Sequence, residues 1–182
     1  MAKPILAVVV VVGLVVAGVG LWAFQPWKIF TSSEVDEPLP SVATDGAVSD
    51  GPVATPAPGE PATPADTPPV ALGQGEFEDA EHDTSGLALV LRLSDGSRFL
   101  RLENLASSDG PDLHVWLTDQ PSGGDWGSYD DGRYLRLGDL KATHGNQNYE
   151  IPDDVDLADF TSVVIWCDRF NVAFGTAPIA LG

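Results

Sequence analysis

The chain has 182 residues, with 27 acidic and 9 basic side chains and a formal net charge of -18. That length allows one ordinary domain or two small ones. Nucleic-acid binding is excluded, because neutralising phosphates requires clustered Lys and Arg and the sequence has no such cluster. The single Cys excludes an intrachain disulfide and any metal or iron–sulfur site built from several Cys ligands.

The N-terminal segment is an uninterrupted apolar run over residues 4–24. As a helix with a rise of about 1.5 Å per residue, it would span roughly 30 Å, the hydrocarbon thickness of a bilayer. The alternative is a cleaved signal peptide, whose apolar region is usually about 7 to 15 residues and ends in a small-x-small pattern. This run is longer and ends in bulky Trp22, Phe24 and Trp27, which suit an interfacial aromatic belt. We therefore predict an uncleaved transmembrane anchor with its flanks over residues 1–30.

The charges that flank this segment set the expected orientation only weakly. Lys3 and the α-amino group lie on one side of the apolar run, and Lys28 lies on the other. Because acidic residues count little in the positive-inside rule, the basic balance favours an inside N-terminus only slightly. The three-residue stub before the run serves best to hold the long C-terminal part outside. We therefore predict a single-pass protein of the cell membrane with a cytoplasmic N-terminus and an extracytoplasmic domain.

A Pro-rich acidic segment follows over residues 31–75. It contains nine Pro, seven acidic residues, no Lys or Arg and no aromatic residue. Such a composition buries too little apolar surface to offset the entropy of ordering the chain. In polyproline II geometry, at about 3.1 Å per residue, it would reach on the order of 100 Å. We predict a disordered linker that spaces the domain from the membrane.

The remaining part, residues 76–182, combines strand-length apolar runs with turn signals. Alternation of apolar and polar residues predicts strands near 86–93, 97–105, 112–118 and 163–167. A Ser-Asp-Gly turn separates the first two, as in an antiparallel hairpin. Since no window repeats apolar residues at helical spacing, we predict an all-β domain, an antiparallel sandwich or a barrel-like sheet.

The sequence lacks the motifs of hydrolases, kinases and dehydrogenases, so whether the chain is an enzyme stays open. The loop at 119–132 is long, Gly-rich and acidic, and such loops often bind ligands. Calcium is one candidate ligand, but the EF-hand spacing is absent, so a solvated loop is favoured. Trp126 and Tyr129 in this loop are candidates for contact with a partner.

Cys167 and His114 are the candidate chemical residues. A buried, inert Cys that packs as a small hydrophobe is the simpler interpretation of Cys167. The alternative is a thiolate at a strand end that reacts directly or ligates a soft metal or haem iron. Arg169 would then lower the thiol pKa, and Asp168 would oppose that. His114 alternates with the apolar residues of its strand, so it is expected on the less buried face.

Three stretches of the sequence resemble the DM13 domain. They are GPDLHVWL within residues 110–117, LGDLK through GNQNYEIP within residues 137–152, and SVVIWC through FNVAFG within residues 162–175. Their order and spacing make the resemblance specific, and it covers roughly residues 76–180. The resemblance implies a β-rich extracytoplasmic module whose proposed role is electron transfer at cell surfaces.

The resemblance also bears on individual residues. The characteristic Cys of the family matches Cys167, which implies a naked redox thiol or a ligand of a prosthetic group such as haem. His114 is then a possible second ligand of haem or metal. The residues assigned a structural role in these stretches are Gly110, Pro111, Asp112, Asn146, Gln147, Asn148 and Trp166. We expect residues 146–148 to form a turn that fixes the loop beside the site.

Two hypotheses for the function follow. The first is a membrane-tethered redox module that acts through Cys167 with an unidentified partner, since animal members carry accompanying DOMON-type domains and this chain has none. The second is a non-enzymatic acidic β-sandwich that binds a surface protein, a sugar or calcium. An open pocket containing Cys167 and His114 would favour the first hypothesis, whereas a fully packed sulfur would favour a structural role for the Cys.

Overall fold

The computed structural model of the chain describes residues 2–25, 27–28, 31–42 and 67–181. Its first element is the helix α1, Ala2–Phe24, which carries no charged residue in its last turn. The part from Ala7 onward is long and apolar enough to cross a membrane, and none of it is buried against the rest of the chain. The helix is therefore a candidate membrane anchor, although a signal sequence has the same properties.

The rest of the described chain is almost entirely β-structure arranged in two sheets. The strands are β1 Glu34–Asp36, β2 Val70–Glu76, β3 Glu78–Asp79, β4 Ser85–Arg92, β5 Arg98–Ala106, β6 Leu113–Thr118, β7 Tyr134–Asp139, β8 His144–Ile151, β9 Ser162–Cys167, β10 Val172–Pro178 and β11 Ala180–Leu181. The first sheet has the order β1-β8-β5-β4-β2-β11 and the second has the order β3-β10-β9-β6-β7. Only the β1–β8 pair is parallel among the described strands. The prediction of an all-β, sandwich-like domain is confirmed.

The main core lies between the two sheets, and residue alternation decides which side chains enter it. In β9, Val163, Ile165 and Cys167 belong to this core, whereas Val164 and Trp166 belong to a second apolar cluster. Because successive side chains of a strand point to opposite faces, the second cluster lies on the outer face of the five-stranded sheet. Both faces of β9 are thus buried, which explains why all six of its residues are inaccessible.

The loop at 119–132 covers part of that outer face. Tyr129 is only 1% exposed and packs in the second cluster, and its hydroxyl accepts a hydrogen bond from the Gly124 amide at 3.0 Å. The expectation that Tyr129 is available for partner contact is therefore wrong. Trp126 remains 51% exposed, while its carbonyl accepts a hydrogen bond from the Ala173 amide at 2.8 Å. The loop is tied to the sheet and buries two of the domain's Trp side chains beneath it.

Two segments within the expected linker are strands of the first sheet. β1 pairs with the start of β8, and β2 pairs with β4 along its length. Composition alone does not reveal them, because β1 has three residues and β2 is rich in Gly. Residues 43–66, the most Pro-rich part of the expected linker, lie outside the described residues.

Candidate functional site

Cys167 is the last residue of β9 and lies opposite Leu113 of β6 and Val172 of β10. It is 0% exposed, and it packs in the core between the sheets. Its carbonyl accepts a hydrogen bond from the Phe170 amide at 3.3 Å, which closes the turn at 168–171. The turn ends at Asn171 with a φ of 53°, a conformation that Asn tolerates better than most residues. The thiol is free but fully enclosed, which is the packing expected for a structural Cys and not the open pocket expected for a redox site.

The surroundings of the sulfur favour the protonated thiol. Burial is the largest influence and raises the pKa of Cys167, and the negative charge of Asp112 raises it further. Hydrogen bonds from the backbone amides of Phe170, Arg169 and Asp112 act in the opposite direction without reversing the shift. The Arg169 guanidinium, which was expected to lower the pKa, instead donates to the Ala23 carbonyl at 3.0 Å. A reactive thiolate therefore requires the enclosure to open.

His114 lies on the other face of the same sheet. Its Cα partner on β9 is Trp166, the neighbour of Cys167, so its side chain projects away from the core. The Nε2 atom lies 3.1 Å from an Asp112 oxygen and 3.4 Å from an Asp168 oxygen, while Nδ1 lies 3.0 Å from an Asp139 oxygen. The side chain is 14% exposed. The structure brings His114 together with three carboxylates and separates it from Cys167.

Arg136 links this carboxylate cluster to the aromatic cluster on the same face. Its guanidinium donates to both oxygens of Asp168, at 2.6 and 3.0 Å, and stacks over the Trp116 ring at 4.7 Å. Trp116 stacks in turn with Tyr134 and packs obliquely against Trp166, with ring centroids 4.4 and 5.0 Å apart. Among the described residues, Trp116 Nε1 is the buried side-chain polar atom without a hydrogen-bond partner.

One group of side chains near His114 has a geometry that a metal ion could use. Asp112, His114 and Asp168 each offer a ligand atom, and these atoms lie within 4.8 Å of one another. The Asp139 carboxylate on the other ring nitrogen is the usual outer partner of a ligating His. However, Arg136 already occupies both oxygens of Asp168, so a cation would have to displace it. Within the described part of the chain, the acidic residues of the 119–132 loop form no such group.

The packing around Cys167 does not fit a thiolate-bound haem. Axial ligation requires the sulfur to face a slot that holds the macrocycle. The Cys167 side chain instead fills space in the core beside Leu113 and Phe174, with none of its surface accessible. His114, the expected second ligand, lies across the sheet. The residues around Cys167 therefore do not fit a haem ligated by this thiol.

Residues 146–148, expected in a turn, lie within the strand β8. That expectation is wrong because the side chains of this segment bond to neighbouring segments of the chain and leave its backbone free to pair with β5. Gln147 is fully buried; its Oε1 accepts from the Lys141 amide at 3.2 Å, and its Nε2 donates to the Ala142 carbonyl at 2.7 Å. It thus fixes the connection between β7 and β8.

The two Asn residues that flank Gln147 bind the segment after α1. Asn146 Nδ2 donates to an Asp36 oxygen at 2.6 Å, and Asn148 Nδ2 donates to the Pro38 carbonyl at 2.8 Å. Alternation places both side chains on the face opposite to Gln147. No local sequence pattern reveals this contact, because its two sides are separated by about 110 residues.

Gly110 and Pro111 line a cleft of about 310 Å³ between the loop before β6 and the loop after β7. A Cβ at Gly110 would lie 2.9 Å from the side chains of Leu113 and Phe174, so any other residue here would force these side chains to shift. Lys28 reaches across the cleft, and its Nζ donates to the Gly110 carbonyl at 2.9 Å. The cleft borders the Asp112–His114 pair but is separated from the enclosed sulfur.

Comparisons with known proteins agree with the resemblance seen in the sequence. Residues 76–179 match the family described as "Electron transfer DM13". Neither the curated proteins nor the solved structures gave a match. The matched range covers both sheets of the sandwich except β1, β11 and all but the last residue of β2, and it includes Cys167 and the His114 cluster. The chain therefore belongs to the DM13 family of electron-transfer domains.

Proposed function

We propose that this protein is a membrane-tethered, extracytoplasmic electron-transfer domain whose redox residue is Cys167. The observation that carries the proposal is the DM13 match over residues 76–179, which lies C-terminal to a helix able to cross a membrane. In this arrangement the N-terminus is cytoplasmic and α1 stays uncleaved. An unidentified redox partner at the cell surface supplies or accepts the electrons.

The single Cys limits the chemistry to an exchange with a second molecule. In the proposed step the Cys167 thiolate, having lost its proton to solvent, attacks a disulfide of the partner. A bond forms between the two sulfurs, the partner's S–S bond breaks, and the leaving sulfur departs as a thiolate that takes up a proton. Cys167 is thereby oxidised to a mixed disulfide and the partner sulfur is reduced.

Because the sulfur is enclosed, opening of the turn at 168–171 controls the access of solvent and partner to it. This turn begins at the Cys167 carbonyl and ends at Asn171, whose positive φ stores a little strain. When the turn opens, the sulfur meets solvent and its pKa falls toward the ordinary value, because burial is what raises it. The Asp112 amide, which lies outside this turn and donates toward the sulfur, then still favours the thiolate.

The test measures thiol modification of the full chain in vesicles. We expect Asn171→Ala to weaken the turn by about 1 to 2 kcal/mol and to speed labelling of Cys167 by about 5- to 30-fold. Asn104→Ala is the matched control, because Asn104 has a similar φ of 49° on the other sheet. Equal acceleration by both variants would mean that the thiol is reached only by global unfolding.

The redox role itself is tested with a glutathione buffer. We expect the native chain to form a mixed disulfide at Cys167, seen as one added glutathione by mass, and we expect Asn171→Ala to form it faster. A thiol that stays unmodified until the chain is denatured would overturn the role of Cys167 and leave it as a core residue.

A second candidate function rests on Trp126, which is half exposed on a loop anchored to the sheet. A rigid exposed Trp beside acidic residues suits contact with a surface protein or a sugar. In this alternative the domain is a non-enzymatic binding module, and the packed Cys167 has only a structural role. Loss of cell-surface binding in Trp126→Ala, with unchanged thiol behaviour, would favour it over the redox proposal.

A further inference from the structure

The end of α1 contacts the tip of the β9–β10 hairpin. The rings of Phe24 and Phe170 stack with centroids 6.3 Å apart and an interplanar angle of 13°. The Arg169 guanidinium donates to the carbonyl of Ala23 at 3.0 Å. Phe24 is the last residue of the helix, so the hairpin tip lies level with the helix end. Phe170 is still 44% exposed in this position.

The residues just after α1 are attached to the domain by side-chain contacts. We call residues 27–28 and 31–38 the strap. Within it, Thr31 Oγ1 donates to an Asp109 oxygen at 2.6 Å, and the Ser33 amide donates to Thr143 Oγ1 at 3.0 Å. The Thr143 hydroxyl donates back to the Ser33 carbonyl at 3.1 Å. The strap is therefore held to the domain before its strand begins.

The strand of the strap, β1, extends the first sheet by pairing parallel with the start of β8. The Glu37 carboxylate follows it, accepting hydrogen bonds from Lys141 Nζ at 2.8 and 3.0 Å and from the Asn148 amide at 2.7 Å. Arg101 Nη1 donates to the carbonyls of Glu37 and Pro38, both at 3.2 Å. The strap thus ends on a partly buried set of charge-assisted hydrogen bonds.

This topology changes what separates the domain from α1. β1 precedes residues 43–66 and β2 follows them, and both strands belong to the same sheet. The described strands on either side of the Pro-rich segment therefore both lie in the domain. Only residues 25–33 connect α1 to the sheet, and nine residues reach at most about 30 Å when fully extended.

We propose that the hairpin tip, Arg169 with Phe170, is a membrane-contacting surface that lies at the lipid headgroups of the bilayer crossed by α1. The strap fixes the domain in this position. The inference rests on the proposed function, because it needs α1 to remain in the membrane.

The chemistry of the tip suits phospholipid. An exposed Phe ring beside an Arg is typical of the interface, where the ring reaches the acyl boundary and the guanidinium pairs with phosphate. The domain itself carries 20 acidic and seven basic residues over 76–182, a net charge of -13, and is not drawn to an anionic leaflet. Attraction by net charge therefore does not hold the domain near the membrane, and the strap has to do so.

The position of the tip is tested with nitroxide labels on the full chain in phosphatidylcholine vesicles. One label is placed by Phe170→Cys and the control label by Asp154→Cys. Asp154 is exposed and follows the far end of β8, whereas the strap pairs with its first residues. In these labelled chains Cys167 is replaced by Ala so that only the introduced Cys reacts. A parallel sample keeps the native Cys167 to control for an effect of the replacement on folding, and its mass is measured to confirm that it carries a single label.

We expect the label at 170 to collide several-fold more often with oxygen, which partitions into lipid, than with a water-soluble nickel chelate. The label at 154 is expected to show the reverse preference. If both labels report water while the chain resists a carbonate wash, the membrane contact is overturned and the anchor stands. If the chain washes off the vesicles, the anchor and the contact are both overturned.

A second measurement distinguishes a domain that the strap holds near the membrane from a domain that a long linker spaces away from it. We expect deletion of residues 43–66 to leave the distance between a fluorophore at 154 and labelled headgroups unchanged. A linker that spaced the domain from the membrane would shorten this distance when deleted. Movement of the domain toward the bilayer in the deletion variant would therefore overturn the inference.

Discussion

The side chains of His114 and Cys167 lie on opposite faces of one sheet, although their strands are direct neighbours. His114 is registered with Trp166, and Leu113 is registered with Cys167. Because side chains alternate between faces, this register sends the thiol into the core and the imidazole toward Asp112 on the outside. The two candidate residues therefore do not form one site, and their roles can be tested separately.

The buried thiol should be more sensitive to polarity than to size. We expect Cys167→Ala to cost about 1 to 2 kcal/mol of unfolding free energy through the cavity it leaves. Cys167→Ser keeps the size but places a hydroxyl in an apolar core, at a cost of about 1 to 3 kcal/mol. Urea denaturation of both variants measures the difference. If Ser is as stable as the native residue, the site is more polar than its packing indicates.

Haem should be absent from the native protein at Cys167, because the enclosed sulfur leaves no room for the macrocycle. We expect the full chain, extracted from membranes in mild detergent, to show the same Soret region as Cys167→Ala. A Soret band present in the native chain and lost only in the variant would contradict the packing described above.

The His114 cluster should depend on its central ring. His114→Leu removes the ring and leaves Asp112, Asp139 and Asp168 close together, with Arg136 as their cation. We expect this variant to lose about 1 to 3 kcal/mol of unfolding free energy, with a larger loss at low salt. Asp139→Asn is the matched control, since its side chain is 89% exposed and its loss should fall within about 0.5 kcal/mol. Thermal melts at two salt concentrations distinguish them, and equal losses would show that the ring does not organise the cluster.

The attachment of the strap should weaken in acid. Burial alone would raise the pKa of Glu37, but the hydrogen bonds from Lys141 and the Asn148 amide, together with the charges of Lys141 and Arg101, lower it overall. Because the docked pKa is below the free value, the stabilisation is fully present above the ordinary Glu pKa of about 4.3. It is lost as pH falls through the lower, docked pKa.

Amide hydrogen exchange in β1 measures this attachment. We expect Glu37→Gln to reduce protection by about 1 kcal/mol at pH 7 and to match the native chain at low pH, where both side chains are neutral. Glu34→Gln, on the exposed side of β1, should change little at either pH. A native strap equally protected at both pH values would contradict the assigned role of Glu37.

Gly145 should be required for the strap to pair. Its φ is 99°, and an added Cβ would overlap the Val35 carbonyl oxygen of β1. Gly96 has a similar φ of 94° in the β4–β5 turn, with open space where its Cβ would lie. Gly96→Ala therefore measures the backbone cost alone, about 1 to 2 kcal/mol.

We expect Gly145→Ala to show that backbone cost and, in addition, loss of exchange protection throughout β1. The comparison uses melting temperature for the first effect and hydrogen exchange for the second. Protection of β1 that survives in Gly145→Ala would mean that the strand shifts to accommodate the methyl group.

Much of the fold was predictable because it depends on local patterns. The alternation in β6 and β9, the Ser-Asp-Gly turn and the apolar helix of residues 4–24 each express a periodicity that acts over a few residues. The family motifs were equally visible, since they lie in unbroken stretches. The first strand of the sheet was missed, since Val35 gains burial only through a partner about a hundred residues away.

Local sequence patterns were enough to predict an apolar segment long enough to span a membrane, an all-β acidic domain and a single thiol within a DM13 pattern. The pairing of β6 with β9 in the folded domain sets which face each of their residues occupies, and it separates Cys167 from His114. Only the tertiary structure decided that the segment after α1 binds the domain, through Glu37 and Lys141. Burial and charge pairing depend on which strands become neighbours in the sheet. Strand order cannot be predicted from any short segment of the sequence, because it depends on pairing between distant segments.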